Sequence, residues 1–309
     1  MRASLFPTAD VTPIRFLLPL LLLITAGPTT AVQGQEAAGA DVRTVRQGDV
    51  IALTFPVRDG MQAVSLDALV GRFQGREVPA FSDPGGVAVL LGVDMEDAPG
   101  TSDFVLERGA GEERRVVERM SITVTPGDFG VQALSLPDKQ VDLDPETLRR
   151  VEIEQRTMLA AMQRVTPRAW DGAFILPSDG NIQNTFGLRR VINGQPRRPH
   201  TGEDISAPAG APVSAINHGT IRLVADHFFS GKSVVIDHGL GLYSMYFHLS
   251  DVTVHAGERV ATSQIIGAVG ATGRASGPHL HWGVRLNGAR VNPLSLPAAT
   301  VSLGMRGIP

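Results

Sequence analysis

The 309-residue chain contains no cysteine. Disulfide staples, thiolate metal sites, nucleophilic thiols and lipid acylation at cysteine are all excluded, so any metal centre must be built from His, Asp or Glu. Aromatic residues are scarce at 5%, and the 34 glycines and 21 prolines indicate many turns and short strands rather than long helices. A net charge of −3 is too small to indicate a nucleic-acid partner. No His-Glu-x-x-His stretch occurs, which excludes the helical zinc site in which glutamate is the general base. Histidine is missing from the whole front of the chain, and all 8 fall between His200 and His281.

What is present suits a soluble chain of about two domains plus extras. Hydrophobic content is 43% and charged content 19%, enough for a sizeable core. Residues 35–171 carry 15 Lys/Arg against 23 Asp/Glu (−8), and residues 172–298 carry 10 against 7 (+3). That division suits an anionic polymer bound at the back; an ordinary solvated surface gives the same numbers.

Residues 1–31 read as a secretory signal. Arg2 and Arg15 precede the apolar run Phe16–Ala26, and Thr29-Thr30-Ala31 offers small residues for cleavage. The run is shorter than the ~18–20 residues of a spanning helix, so no stable membrane anchor is expected, and the mature protein is placed in the periplasm or outside the cell. Residues 42–125 show short apolar runs separated by turns, among them Val50–Phe55, Val87–Leu91 and Ser121–Val124, which predicts a small β-sandwich-like, Ig-like accessory domain. Asp144-Pro145-Glu146 is a helix start, and Leu148, Val151, Met158, Leu159 and Met162 recur at helical spacing. A bridging helix over 142–166, ended by Pro167, follows. Residues 172–298 return to β texture, with Gly219–Val224, Ser233–Ile236 and Leu242–Tyr246 joined by short turns. The fold class is mostly β with a C-terminal antiparallel sheet.

Three segments carry chemistry: His200-Thr201-Gly202-Glu203-Asp204, Tyr246-Phe247-His248-Leu249 and Gly277-Pro278-His279-Leu280-His281-Trp282. His279 and His281 lie two apart, on one face of a strand, so one can bind a metal while the other faces the water beside it. Two ligands at this spacing fit equally well. His200 and Asp204 are ~13 Å apart in a straight strand, too far for one ion, so a bend at Gly202 is expected. Glu203 then points elsewhere. His200, Asp204 and His281 supply three ligands, leaving His279 to take a proton and His248 to hold the carbonyl oxygen. His238 reads as structural, and His218, His227 and His255 as surface or turn residues.

These three segments, in this order, resemble the lysostaphin-type (LytM-domain) zinc endopeptidases of peptidoglycan. The likeness runs over residues 172–298 and includes Asn184-Thr185-Phe186-Gly187-Leu188-Arg189, Ala207–Val213, Val254–Val260 and Gly267–Gly273. It implies that His200, Asp204 and His281 bind Zn2+, with His279 and His248 catalytic. The protein would hydrolyse cross-links or stem peptides of peptidoglycan through zinc-activated water, and a regulatory protein is a further expected partner. Glu203 departs from the apolar residue usual there. The alternative is a non-catalytic module of this fold that binds or activates another wall hydrolase; such modules have usually lost ligands, and here all are present. A biotinyl- or lipoyl-type carrier is set aside, because Lys232, the single lysine of the back half, lacks the expected flanks.

Overall fold

The computed structural model describes residues 42–56, 69–84, 86–109, 111–135, 137 and 141–303. The expected signal segment, 1–31, lies outside them. The front half contributes β1 (Val42–Arg46), β2 (Val50–Phe55), β3 (Leu69–Phe73), β4 (Arg76–Asp83), β5 (Gly86–Gly92), β6 (Gly100–Arg108), β7 (Arg115–Thr125) and β8 (Val131–Leu134). The first seven form one sheet in the order β1-β7-β6-β3-β4-β5-β2. One end of β4 pairs with β3 and the other with β5, so this strand carries the sheet around a bend and lets it enclose its own core.

Strand β5 is buried along nearly its whole length. Its alternate side chains enter two different cores: Val87, Val89 and Leu91 pack with Phe73, Phe104 and Ile122, while Ala88 and Leu90 join the core of the back half. Strand β2 behaves the same way, sending Leu53 and Phe55 forward and Val50 backward. Two-faced burial is why these strands read as continuous apolar runs rather than as an alternation. The junction also has polar ties. Arg290 donates to Asp94 at 2.6 Å, and the Val50 amide donates to the Ser295 hydroxyl at 3.0 Å.

Helix α1 (Pro145–Ala160) starts as the sequence indicates, with the Asp144 carboxylate accepting from the amides of Glu146 and Thr147. It ends well before Pro167. The following residues run extended along the back sheet, where the Thr166 carbonyl accepts from the Leu240 amide, the Thr166 hydroxyl donates to Asp237, and the Arg164 carbonyl accepts from Tyr243. Those bonds replace the last helical turn. Met158 and Met162 pack on Val235, Tyr243 and Met245, so the helix lies on the back domain, and the two halves meet directly through β2 and β5.

The back half holds β9 (Asn181–Ile182), β10 (Arg189–Ile192), β11 (Gln195–Pro196), β12 (Gly202–Ser206), β13 (Pro212–Ser214), β14 (Gly219–His227), β15 (Gly231–Gly239) and β16 (Leu242–Leu249). It continues with β17 (Asp251–Val252), β18 (Arg259–Val260), β19 (Ile265–Ala268), β20 (Leu280–Leu286), β21 (Ala289–Val291) and α2 (Ser295–Val301). Its main sheet runs β18-β14-β15-β16-β20-β12-β9, with β21 also on β20, and every pairing is antiparallel. Trp282, Tyr246, Ile236, Ile221 and Ile205 are fully buried beneath it. The mostly β class read from the sequence is what the chain adopts. A smaller sheet, β11-β10-β8, forms where the tail of the front half lies parallel to β10 and braces the segment that leads into His200.

Candidate metal centre

Neighbouring strands bring the three chemical segments together. Asp204 on β12 lies opposite His281 on β20, and His281 lies opposite Phe247 on β16, one residue before His248. His200 stands just ahead of β12, so the turn that brings it back to Asp204 lies upstream of Gly202. This corrects the expected bend at Gly202, which is the first residue of a strand and is absent from the glycines with positive φ. Its lack of a side chain serves space instead. A Cβ there would stand 2.6 Å from His281 Nε2 and 2.8 Å from its Cε1, so only glycine admits the ring.

The donor atoms converge tightly. His200 Nε2 lies 2.8 Å from His281 Nδ1 and 3.2 Å from Asp204 Oδ1, and His281 Nδ1 lies 3.0 Å from the same oxygen. The other nitrogen of His200, Nδ1, lies 3.0 Å from the Thr185 carbonyl. A carbonyl only accepts, so Nδ1 carries the proton and Nε2 presents its lone pair to the cluster. Two imidazole nitrogens and a carboxylate oxygen, all three residues mostly buried, thus point their electron pairs at one spot. That donor set fits a zinc-type ion better than any hydrogen-bonding scheme among the three, since at most one proton is left to share between them. Among the described residues this is the group of His, Asp and Glu side chains able to hold a metal.

Electrostatics keep the ligands in their binding forms. Burial opposes the Asp204 charge, but the two imidazoles set against its oxygen, His200 and His281, outweigh it and hold the carboxyl well below the usual carboxylate range. Burial pushes His281 down to about 3, against the hydrogen bond to Asp204 that raises it, so the imidazole stays neutral far into acid. Its ring stacks on Phe247 at 5.2 Å between centroids, nearly parallel.

His248 and His279 flank the cluster with ring centroids 4.8 Å apart, and His279 Nε2 lies 3.8 Å from Asp204 Oδ1. His248 sits at the end of β16 with φ +63°, a left-handed conformation that costs a non-glycine residue about 1–2 kcal/mol and recurs at functional positions. Its Nδ1 donates to the Thr272 carbonyl at 2.8 Å, and burial lowers it to about 4. His279 Nδ1 likewise donates to the Gly277 carbonyl at 2.8 Å. All five residues singled out in the sequence therefore meet in one place.

Their supports were not foreseen. Glu203 does point away from the cluster, and it is buried: its carboxylate accepts from the amides of Gln183, Thr185 and Phe186. This anchors the loop whose Thr185 carbonyl orients His200, and the Thr185 hydroxyl accepts from the Asp204 amide at 2.9 Å. The available signal was Glu203 itself, a charge where an apolar residue is usual. Arg190 approaches the far oxygen of Asp204 at 3.7 Å. His238 is fully buried away from the cluster, between the His218 carbonyl and the Ser244 hydroxyl, and His255 is exposed and paired with Glu258.

One antiparallel sheet thus gathers two histidines and an aspartate able to hold a metal ion, with two further imidazoles beside them. The model of peptidase family M23 matches residues 198–293. A solved structure of a peptidase M23 from Pseudomonas aeruginosa is 32% identical, with a TM-score of 0.62, over 82% of this chain and 95% of that one. Among curated proteins, DD-carboxypeptidase/endopeptidase Mpg of Neisseria meningitidis is 40% identical over 122 residues, 40% of this chain and 28% of its own. Peptidoglycan DD-endopeptidase ShyA of Vibrio cholerae is 36% identical over 126 residues, 40% of this chain and 29% of its own. The chain thus spans under a third of the length of these curated relatives. It belongs to peptidase family M23.

Proposed function

We propose that this chain is an exported, zinc-dependent endopeptidase that hydrolyses peptide cross-links or stem peptides of bacterial peptidoglycan. The observation that carries the reading is the convergence of His200 Nε2, Asp204 Oδ1 and His281 Nδ1, with two more imidazoles beside them. The names of the related DD-endopeptidases support the substrate class. Export rests on the apolar segment at 1–31, and among the described residues no helix is long and apolar enough to cross a membrane.

His200, Asp204 and His281 would hold the ion, which supplies Lewis acidity toward a water and toward the scissile carbonyl. The rest of the chemistry belongs to the protein. His279 Nδ1 is committed to the Gly277 carbonyl, so Nε2 offers a lone pair beside Asp204 and accepts the proton of the attacking water. The imidazolium so formed then donates that proton to the leaving amine. His248 has the same tautomer, because its Nδ1 donates to Thr272. Its Nε2 is therefore an acceptor while the ring is neutral, and burial keeps it neutral above about pH 4. We accordingly assign His248 to orienting the second O–H of the water, in place of the carbonyl-holding role expected from sequence.

Digestion of purified peptidoglycan by the full chain, with products identified by mass spectrometry, tests this reading. Cross-linked dimers should disappear with the zinc-loaded protein, and persist with His281→Ala or after chelation. Stoichiometric zinc without cleavage would overturn the enzyme and leave a binding or activating module.

A further inference from the structure

On a regular strand β16, His248 would turn its back on the metal cluster. Successive strand residues point to opposite faces. Tyr246 lies opposite Trp282 and both are buried in the core, whereas Phe247 lies opposite His281. Alternation would therefore send His248 to the core side, with Tyr246.

The pairing with β15 is irregular at this point. Lys232 lies opposite Leu249 and Val234 opposite Tyr246, so Ser233 alone faces both Phe247 and His248. The extra residue makes a β-bulge, a device that re-aims side chains, and His248 takes it up with its φ of +63°. Tyr246 and Leu249, three residues apart, consequently enter the same core. The two residues between them both turn to the cluster: Phe247 stacks on His281, and His248 stands beside His279.

Two segments hold the bulge in place. From the tip of the β14–β15 hairpin, the Ser230 carbonyl accepts from the His248 amide at 2.8 Å. From the segment ahead of β20, Thr272 makes three further bonds. Its carbonyl accepts from His248 Nδ1 at 2.8 Å. Its hydroxyl accepts from the Lys232 amide at 2.9 Å and donates to the Leu249 carbonyl at 2.8 Å. Lys232 and Leu249 are partners in the ladder, so the hydroxyl bridges the first strand pair beyond the bulge, using both its lone pair and its proton. Gly231 makes room for it, since a Cβ there would stand 2.3 Å from Thr272 Oγ1. One residue thus ties down the end of the bulge and the ring that the bulge re-aims.

We propose that Thr272 is a positioning residue for His248. Its hydroxyl locks the bulge in β16, and its carbonyl then holds the His248 ring on the cluster's face, with Nδ1 protonated and Nε2 open toward the reacting water. This deepens the peptidase reading and rests on it for the role of His248.

The test uses the full zinc-loaded chain with 15N in its histidine rings, where NMR reads the tautomer directly. The His248 signals are assigned by their loss in His248→Gln, and a soluble cross-linked stem-peptide dimer gives kcat and KM. Thr272→Val keeps the shape and removes the hydroxyl. It should retain stoichiometric zinc but lose the single Nδ1–H form of His248, and its kcat should fall about tenfold or more at nearly unchanged KM. Thr272→Ser, which keeps the hydroxyl, should match the wild type in both readouts. A wild type whose His248 is not held as the Nδ1–H tautomer overturns the proposal without any variant. So does a Thr272→Val chain that keeps both the tautomer and kcat, and so does a loss that Thr272→Ser shares, because the methyl group is then what matters. Any of these with cleavage by the wild type leaves the peptidase standing. If the wild type never cleaves while the tautomer follows the hydroxyl across the three chains, the peptidase reading fails and the positioning holds.

Discussion

Two clusters of buried histidine lie in the same sheet and differ in what their lone pairs face. His238 is fully buried, lowered by burial to about 4, and has both nitrogens partnered: Nδ1 donates to the His218 carbonyl, and Nε2 accepts from Ser244. His281 is also buried, though less completely, and is shifted further, yet its Nδ1 faces another imidazole and a carboxylate. Burial and a depressed pKa are common to both, so neither marks a functional site by itself. The mark is convergence of more lone pairs than the protons present can satisfy, an excess that a cation resolves.

The sharpest way to break that comparison is to truncate one histidine from each cluster. His281→Ala should abolish stoichiometric zinc and lower peptidoglycan hydrolysis by about 10³-fold or more, since the lost Lewis acid accounts for several kcal/mol of barrier. Without zinc its melting temperature should stay close to that of the chelated wild type. Metal analysis, activity and calorimetry on one preparation check all three, and zinc retained by the variant would refute the ligand set.

His238→Ala should do the opposite. It leaves the His218 carbonyl without a partner and the Ser244 hydroxyl with Tyr246 alone, and opens a cavity beside Phe174, whose ring stands edge-on at 5.4 Å. A loss of about 2–4 kcal/mol in denaturant unfolding is expected, with full zinc in the molecules that remain folded. The same residue predicts a pH dependence. Its folded pKa, about 4, lies below the ordinary 6.5, so between those values the unfolded chain binds the extra proton and stability falls as pH falls. In His238→Gln this part of the slope should vanish, and an unchanged slope between pH 6.5 and 4 would assign it elsewhere.

How much of this was legible in the sequence depended on the range of the signal. Strands such as the one read at Leu242–Tyr246, which the structure extends to Leu249, and the three chemical segments were readable because alternation and residue spacing are local, and the five site residues could be named from them. The junction between the halves was not. Val87-Ala88-Val89-Leu90-Leu91 looks like one buried strand, and nothing local says that its two faces belong to two cores. The end of α1 was missed for a related reason. Pro167 is a visible stop signal, but the bonds from Tyr243, Leu240 and Asp237 that draw the chain out earlier come from strands far along the sequence. Glu203 was legible only as an oddity, because its three amide partners lie on a loop about twenty residues upstream.

Glu203 also supplies the smallest and most discriminating test of the comparison, since it touches neither the metal cluster nor the His238 network. Glu203→Gln keeps the shape but turns an amino group toward one of the amides of Gln183, Thr185 and Phe186, which can only donate. The loop loosens, and with it the Thr185 carbonyl that fixes the His200 tautomer and the hydroxyl that receives the Asp204 amide. Supports of this kind typically change metal affinity 10–100-fold. Glu203 acts through a loop rather than on a ligand directly, so about tenfold weaker zinc binding in competition with a chelator is expected, at unchanged stoichiometry. If zinc affinity holds while thermal stability drops, Glu203 is an anchor for the fold alone. If affinity falls with stability nearly unchanged, the convergent cluster depends on this buried carboxylate, and the His238 cluster, satisfied within its own core, does not.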